Sequence, residues 1–192
     1  NFNLPWDANL HASFVDKNML EAMKAAGCQL INVGVESGSQ KILNDMKKGL
    51  SVKKVKQVFR WAKELGLERR SFFLLGFPNE TETDIRLTES LVEEIQPEVF
   101  GITILSPYPG TAHYDPETMK NYDWSFADEY SNPYWETNYF SNAEIKSWQG
   151  YLTDKFSSRL LWHNKLIKDN PNLLEQVGRF TLKLGAQQEQ QI

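Results

Sequence analysis

The chain has 192 residues, 41% apolar and 24% charged, with a formal net charge of −4. That length gives one domain with a real core, or a domain with an appendage, and the acidic balance leaves no basic block to neutralise phosphates, which argues against nucleic acid as a partner. No apolar run approaches the ~20 residues of a membrane span, and the single cysteine, Cys28, excludes an internal disulfide or a cysteine metal cage and points to a reducing, cytoplasmic setting.

Asn1-Phe2-Asn3 carries neither signal-peptide regions nor an initiator Met, so the expectation is a piece of a longer protein. Residues 4–11 are expected to form an irregular strand, with Pro5 placing its start at an edge or bulge. Asp16 is a good N-cap for a helix with Leu20 and Met23 inward, stopped by Gly27. Leu30, Ile31, Val33 and Val35 then make the apolar, β-branched run of a buried parallel strand, 30–36, ending in Glu36-Ser37-Gly38-Ser39. Two helices follow: a short one over 40–48, ended by Gly49, and one capped by Ser51 with Val55, Val58, Phe59, Ala62 and Leu65 inward, stopped by Gly66. Ser71–Leu75 is the next buried strand, expected over 71–76, and Gly76-Phe77-Pro78 ends it. Thr81-Glu82-Thr83-Asp84 is a capping box opening a helix to about Ile95, and Val99–Leu105 is a fourth strand, ended by Ser106-Pro107-Tyr108-Pro109-Gly110-Thr111.

Strand–helix alternation with connections of this length predicts a parallel sheet with right-handed crossovers, its strands in sequential spatial order and its helices on one face. Four strands are too few to close an eight-stranded barrel, which leaves an open sheet or a barrel sector. The unusual residues gather at the carboxyl ends of the strands: Asn9 and His11, Glu36 and Ser37, Gly76-Phe77-Pro78, Ser106-Pro107. That is where α/β architectures bind ligands. Glu36 alone also reads as a capping or ion-paired residue. His11, His113 and His163 show no metal-ligand spacing, and neither G-x-G-x-x-G nor a P-loop is present.

After Thr111 the pattern changes. Residues 122–140 carry Tyr122, Trp124, Phe126, Tyr130, Tyr134, Trp135, Tyr139 and Phe140 without a clean period. They read as a segment wrapping one end of the sheet on aromatic anchors, or as one wall of a pocket for a flat apolar substrate. Ser141-Asn142-Ala143-Glu144 is a second capping box, opening a helix with Ile145, Trp148, Leu152, Phe156 and Leu160 on one face. Asn170-Pro171 breaks it, a last helix carries Leu173, Val177, Phe180 and Leu184, and the QQEQQI tail is expected to be disordered.

GVESGS-x2-IL-x3-KK-G from Gly34, then LLGFPNET from Leu74, then SPYPGT from Ser106 form a combination that resembles the radical S-adenosylmethionine (SAM) enzymes. Within them it resembles the branch that often carries a cobalamin-binding domain and includes anaerobic magnesium-protoporphyrin monomethyl ester oxidative cyclases. The resemblance implies an α/β fold, a sector of a partial six-stranded TIM-like (β/α) barrel: residues 1–114 would be strands three to six, and residues 115–192 an aromatic-rich segment with C-terminal helices. It implies SAM-contacting positions at Asn9, Glu36 with Ser37, Lys48, Gly76-Phe77-Pro78 and Ser106-Pro107. Glu36 would accept from ribose hydroxyls or the amine, Lys48 would pair the SAM carboxylate, and Gly76 would allow close backbone approach.

The resemblance also implies a [4Fe–4S] cluster on a C-x3-C-x2-C loop, which this sequence lacks. The chain by itself is therefore expected to hold no cluster and to be inert, as the C-terminal portion of an oxidoreductase whose cofactors are SAM, the cluster and, in this branch, cobalamin. The implied reaction is oxidative-cyclase-like, on a small molecule, flat and apolar like a tetrapyrrole. Methyl or methylthio transfer is the alternative within the family, and a non-catalytic α/β binding module the alternative outside it. The strand edge left open by the missing strands is expected to be covered by the 122–140 segment or by a second copy of the chain.

Overall fold

A computed structural model of the protein describes residues 4–125, 129–130 and 132–159. Phe126, Leu160, Asn170-Pro171, the expected last helix and the QQEQQI tail lie outside the described residues. Four strands, β1 (Trp6–Leu10), β2 (Cys28–Glu36), β3 (Glu68–Leu75) and β4 (Val99–Ile104), form one sheet in the order β1-β2-β3-β4. Every neighbouring pair is parallel. This is the sequential order that crossovers of a single hand produce.

Helices α1 (Lys17–Ala25), α2 (Gln40–Asp45), α3 (Val52–Glu64), α4 (Glu82–Ile95) and α5 (Asn142–Lys155) make the connections and the C-terminal element. Their starts follow the local chemistry read from the sequence. Asp16 accepts from the Met19 N–H at 2.7 Å, Ser51 from Lys54 at 3.2 Å, and both capping boxes are closed. Helix α2 is shorter than expected. It stops at Asp45 because Lys47 already turns left-handed, at φ 53°.

Strand alternation splits the sheet into two unlike faces. Ile31, Val33 and Val35 of β2, Phe73 and Leu75 of β3, and Phe100, Ile102 and Ile104 of β4 join Leu20, Val55, Val58, Phe59, Ile85, Val92, Ile145 and Leu152 in one core on the helix side. Phe100 meets Phe73 at 5.6 Å and Phe156 at 5.3 Å between ring centroids. Each such fully buried side chain contributes about 1.5–3 kcal/mol. The register pairs Asn9 with Asn32, Asn32 with Arg70, and Gly34 with Phe72. The opposite face is therefore lined by polar side chains, glycine and a half-exposed Phe72, which is not how a structural core is built.

β3 begins three residues before the expected Ser71, in Glu68-Arg69-Arg70. Charged residues do not read as a buried strand, but Arg69, 3% exposed, is fully bonded. Its guanidinium holds Glu98 and donates to the carbonyls of Phe59, Ile95 and Gln96, tying the middle of α3 and the end of α4 to the sheet.

The aromatic segment covers the β4 side and not the β1 edge. Glu129 O accepts from Ile104 N at 2.7 Å, and Asn132 Nδ2 donates to Leu105 O and Ser106 Oγ. Among the described residues nothing pairs with the free edge of β1, where Leu4 is 68% and Trp6 38% exposed. An open edge flanked by apolar side chains recruits another chain. Light scattering on this chain is expected to give a mass above the monomer, returning to the monomer in Trp6→Lys; a strict monomer in the parent chain overturns this.

Candidate functional site

The carboxyl end of β2 is irregular. The β2–β3 register shifts between Gly34 and Glu36. Ser37 N donates to Val35 O at 2.9 Å, closing a three-residue turn centred on Glu36, whose φ is 66°. A left-handed glutamate in such a turn is strained, and strain of this kind collects at functional positions. The turn brings Glu36 Oε1 back over Gly34, so close that a Cβ there would lie 2.7 Å from it. Lys48 Nζ meets the same oxygen at 2.6 Å. The pair is only partly exposed, 28% at Lys48 and 21% at Glu36.

Around it lies a groove of about 450 Å³ lined by Asn9, Leu10, His11, Asn32, Gly34, Lys48 and Phe72. Asn32 is buried, donates to Asp7 Oδ2 at 2.6 Å and leaves Oδ1 without a partner. Asn9, Glu36 and Lys48 are thus brought together among the residues picked from the sequence. Asn32, Gly34 and Phe72 were not picked, and His11 was noted only as one of the unusual residues at the strand ends. The alternation of β2 and β3 could have found Asn32, Gly34 and Phe72, because they share the inner face with Asn9.

Ser37 goes elsewhere. It is fully buried against α4, with its Oγ 3.3 Å from Thr88 Oγ1 and accepting from Ser39 N. Gly38 N donates to Thr88 Oγ1 at 2.8 Å, and Ser39 Oγ donates to Asp84 Oδ1 at 2.6 Å. Burial pushes the Asp84 carboxyl up, but donors on Ser39, Lys41 and Thr81 outweigh it and hold it at about 2. The Ser-Gly-Ser run is thus a clamp between α2 and α4, and it fixes the turn that carries Glu36.

The residues after β3 and β4 form the next part of the rim. Gly76, at φ 84°, donates its N–H to Glu80 Oε2 at 2.7 Å. The Trp135 indole donates to Gly76 O at 2.6 Å, and a Cβ on Gly76 would stand 3.1 Å from that ring. The close approach Gly76 permits is therefore taken by Trp135. Phe77 is buried, edge-on to His113 at 5.1 Å; Pro78 O accepts from Asn138 N; Ser106 Oγ accepts from Asn132; Pro107 is buried. Tyr122 and Tyr134 stack on each other at 4.3 Å. Trp135, Tyr122 and Tyr134 are spent on the rim and on one another, while Tyr130 and Tyr139 stay mostly exposed.

Glu80 is fully buried with Oε1 unpartnered, and burial pushes its carboxyl up to about 7. A group whose pKa rises on folding favours the folded state most below its unfolded value near 4.5 and loses that contribution as pH climbs through 7. The loss is about 3 kcal/mol. Glu80→Gln keeps an acceptor for Gly76 N and removes the titration. Its urea midpoint is expected to be flat between pH 4.5 and 8 where the parent falls; parallel curves would exclude Glu80 as the source.

Residues 9–92, the stretch from β1 into α4, match the sequence profile of the Radical SAM superfamily. Over those residues the chain is similar to radical SAM domains. The chain is 30% identical over 109 residues to an uncharacterized methyltransferase of Pyrococcus horikoshii, covering 57% of this chain and 24% of that protein. It is 39% identical over 83 residues to the tRNA-2-methylthio-N(6)-dimethylallyladenosine synthase of Baumannia cicadellinicola, covering 42% of this chain and 18% of that one. The chain spans about a quarter of the length of the first curated relatives it matches. The fold is also that of coproporphyrinogen III oxidase from Escherichia coli, a radical SAM enzyme, at a TM-score of 0.60 and 12% identity over 80% of this chain and 32% of that one.

The two cofactors a radical SAM domain implies fit this chain differently. The groove suits SAM in its polar groups: the Lys48–Glu36 pair offers a cation and a carboxylate to a zwitterionic ligand, and the buried Asn32 Oδ1 has no partner. The cluster does not fit, since three thiolates are needed and Cys28 is the only cysteine, buried at the amino end of β2, away from the rim. Among the described residues no group of His, Cys, Asp or Glu is placed to hold a metal ion, and no helix is long and apolar enough to cross a membrane.

Proposed function

We propose that this chain is the SAM-binding part of a larger radical SAM enzyme and that its groove holds the SAM methionyl and ribose groups. Lys48 pairs the carboxylate, and Glu36 accepts from the ribose hydroxyls or the amine. Asn9 borders the same groove, while Gly76-Phe77-Pro78 and Ser106-Pro107 continue the rim toward the adenine side. Ser37 acts through the clamp on α4. In the proposal residues 1–114 carry the groove, residues 115–192 seal the β4 side, and the cluster thiolates come from outside this chain.

SAM supplies the methyl group to be transferred. The names of the relatives favour methyl or methylthio transfer over the cyclase-type oxidation expected from the motifs. Cobalamin belongs to the proposal through the resemblance of the motifs alone. The observation that carries the reading is the Glu36–Lys48 pair at 2.6 Å on a strained turn at the end of a parallel strand. Isothermal titration of the chain with SAM tests it. Lys48→Met is expected to weaken binding ~10-fold or more, the worth of one charge-assisted hydrogen bond. Equal affinity in the two proteins would remove Lys48 from the site.

A further inference from the structure

Lys48 is not on a helix. α2 has ended at Asp45, the Lys48 N–H reaches back to Leu43 O at 3.1 Å, and the flanking Lys47 and Gly49 take φ of 53° and 63°. A two-residue left-handed turn with a long cationic side chain has many alternatives, and fixing that side chain on Glu36 has an entropy cost. Two side chains from the connection between β1 and α1 limit those alternatives. His11 Nε2 donates to Lys48 O at 3.0 Å, and Ser13 Oγ donates to Gly49 O at 2.5 Å. The acceptor is a carbonyl, so the shared proton sits on Nε2, an assignment made from the bond. Phe14 lies against the imidazole at 5.2 Å.

We infer that His11 and Ser13 are positioning residues for Lys48: they clamp the Lys47–Gly49 backbone so that its ammonium stays over Gly34, ready for a ligand carboxylate. The span is 37 residues for His11 and 36 for Ser13, so the end of β1 sets a group presented beside β2. Both carbonyls belong to a surface turn, Gly49 exposed and Lys48 half-buried, and neither bond closes an element of secondary structure. Their use is local to Lys48. The affinity part of the inference rests on the groove being the SAM site; the positioning part does not.

The test uses the full chain and two readouts. The first is the rate of reductive methylation of each lysine, resolved by mass spectrometry, with the exposed Lys53 as internal reference. Lys48 is expected to react about threefold faster or more in His11→Ala and in Ser13→Ala, with Lys53 unchanged and His11→Gln, whose amide can still donate, near the parent rate. An unchanged Lys48 rate in both alanine variants overturns the inference. The second readout is SAM affinity in a double-mutant cycle. His11→Ala is expected to lose about tenfold in the parent and nothing further in Lys48→Met, because it acts through Lys48. Additive losses overturn the inference while leaving Lys48 in the site. If Lys48→Met binds SAM like the parent, the SAM reading fails, and the methylation rates still decide the clamp.

Discussion

Gly38→Ala is expected to destabilise the protein by ~3 kcal/mol or more, the upper range for overpacking a filled contact. A Cβ on Gly38 would stand 2.3 Å from Leu87 O and 2.6 Å from Thr88 Cα. Both are backbone atoms in the middle of α4, so no rotamer change relieves the clash; the turn or the helix must move. Movement breaks the Gly38 N to Thr88 Oγ1 bond and disturbs the Ser39–Asp84 contact beside it. The urea midpoint measures the loss. Gly150→Ala is the control. Gly150 sits inside α5 with open space around its Cβ position, and the change there should raise stability by about 0.5–1 kcal/mol. A Gly38→Ala protein as stable as the parent would show that the Ser-Gly-Ser run is not clamped to α4.

Glu36→Gly is expected to separate stability from binding. At φ 66° a glutamate carries strain that glycine does not, so the variant should unfold at the same urea concentration as the parent or a higher one. The Lys48 partner is lost with the carboxylate, and SAM affinity should fall between ~10- and ~150-fold, the range for one charge-assisted hydrogen bond. Glu36→Gln keeps the shape and tests the charge alone; it should bind more weakly than the parent but more tightly than Glu36→Gly. Calorimetric titration beside urea unfolding reads both quantities. A destabilised Glu36→Gly with unchanged affinity would make Glu36 a structural residue and place the binding carboxylate elsewhere.

Read from residues alone, the chain determines its own local punctuation. Asp16, Ser39, Ser51, Thr81 and Ser141 start helices where a side chain can reach an N–H two or three residues on. Gly27, Gly66 and Gly76 stop elements where the backbone turns left-handed. The alternation of those elements then determines a parallel sheet in sequential order, and with it the rim on which Asn9, Glu36, Gly76 and Ser106 stand.

What the sequence could not decide was which of these residues face a ligand and which face the protein. Ser37 is bonded to Thr88, 51 residues away, and Gly76 to Trp135, 59 residues away. Arg69 extends β3 because Glu98 and three carbonyls from α3 and α4 surround it. The Lys48 carbonyl is bonded by His11 and the Gly49 carbonyl by Ser13, and the Lys48 ammonium meets a glutamate turned back over Gly34. The reason is range. A cap or a glycine stop is settled by atoms within one turn of chain, whereas a buried polar group is settled by whichever distant partner satisfies it, and only the packed fold supplies that partner.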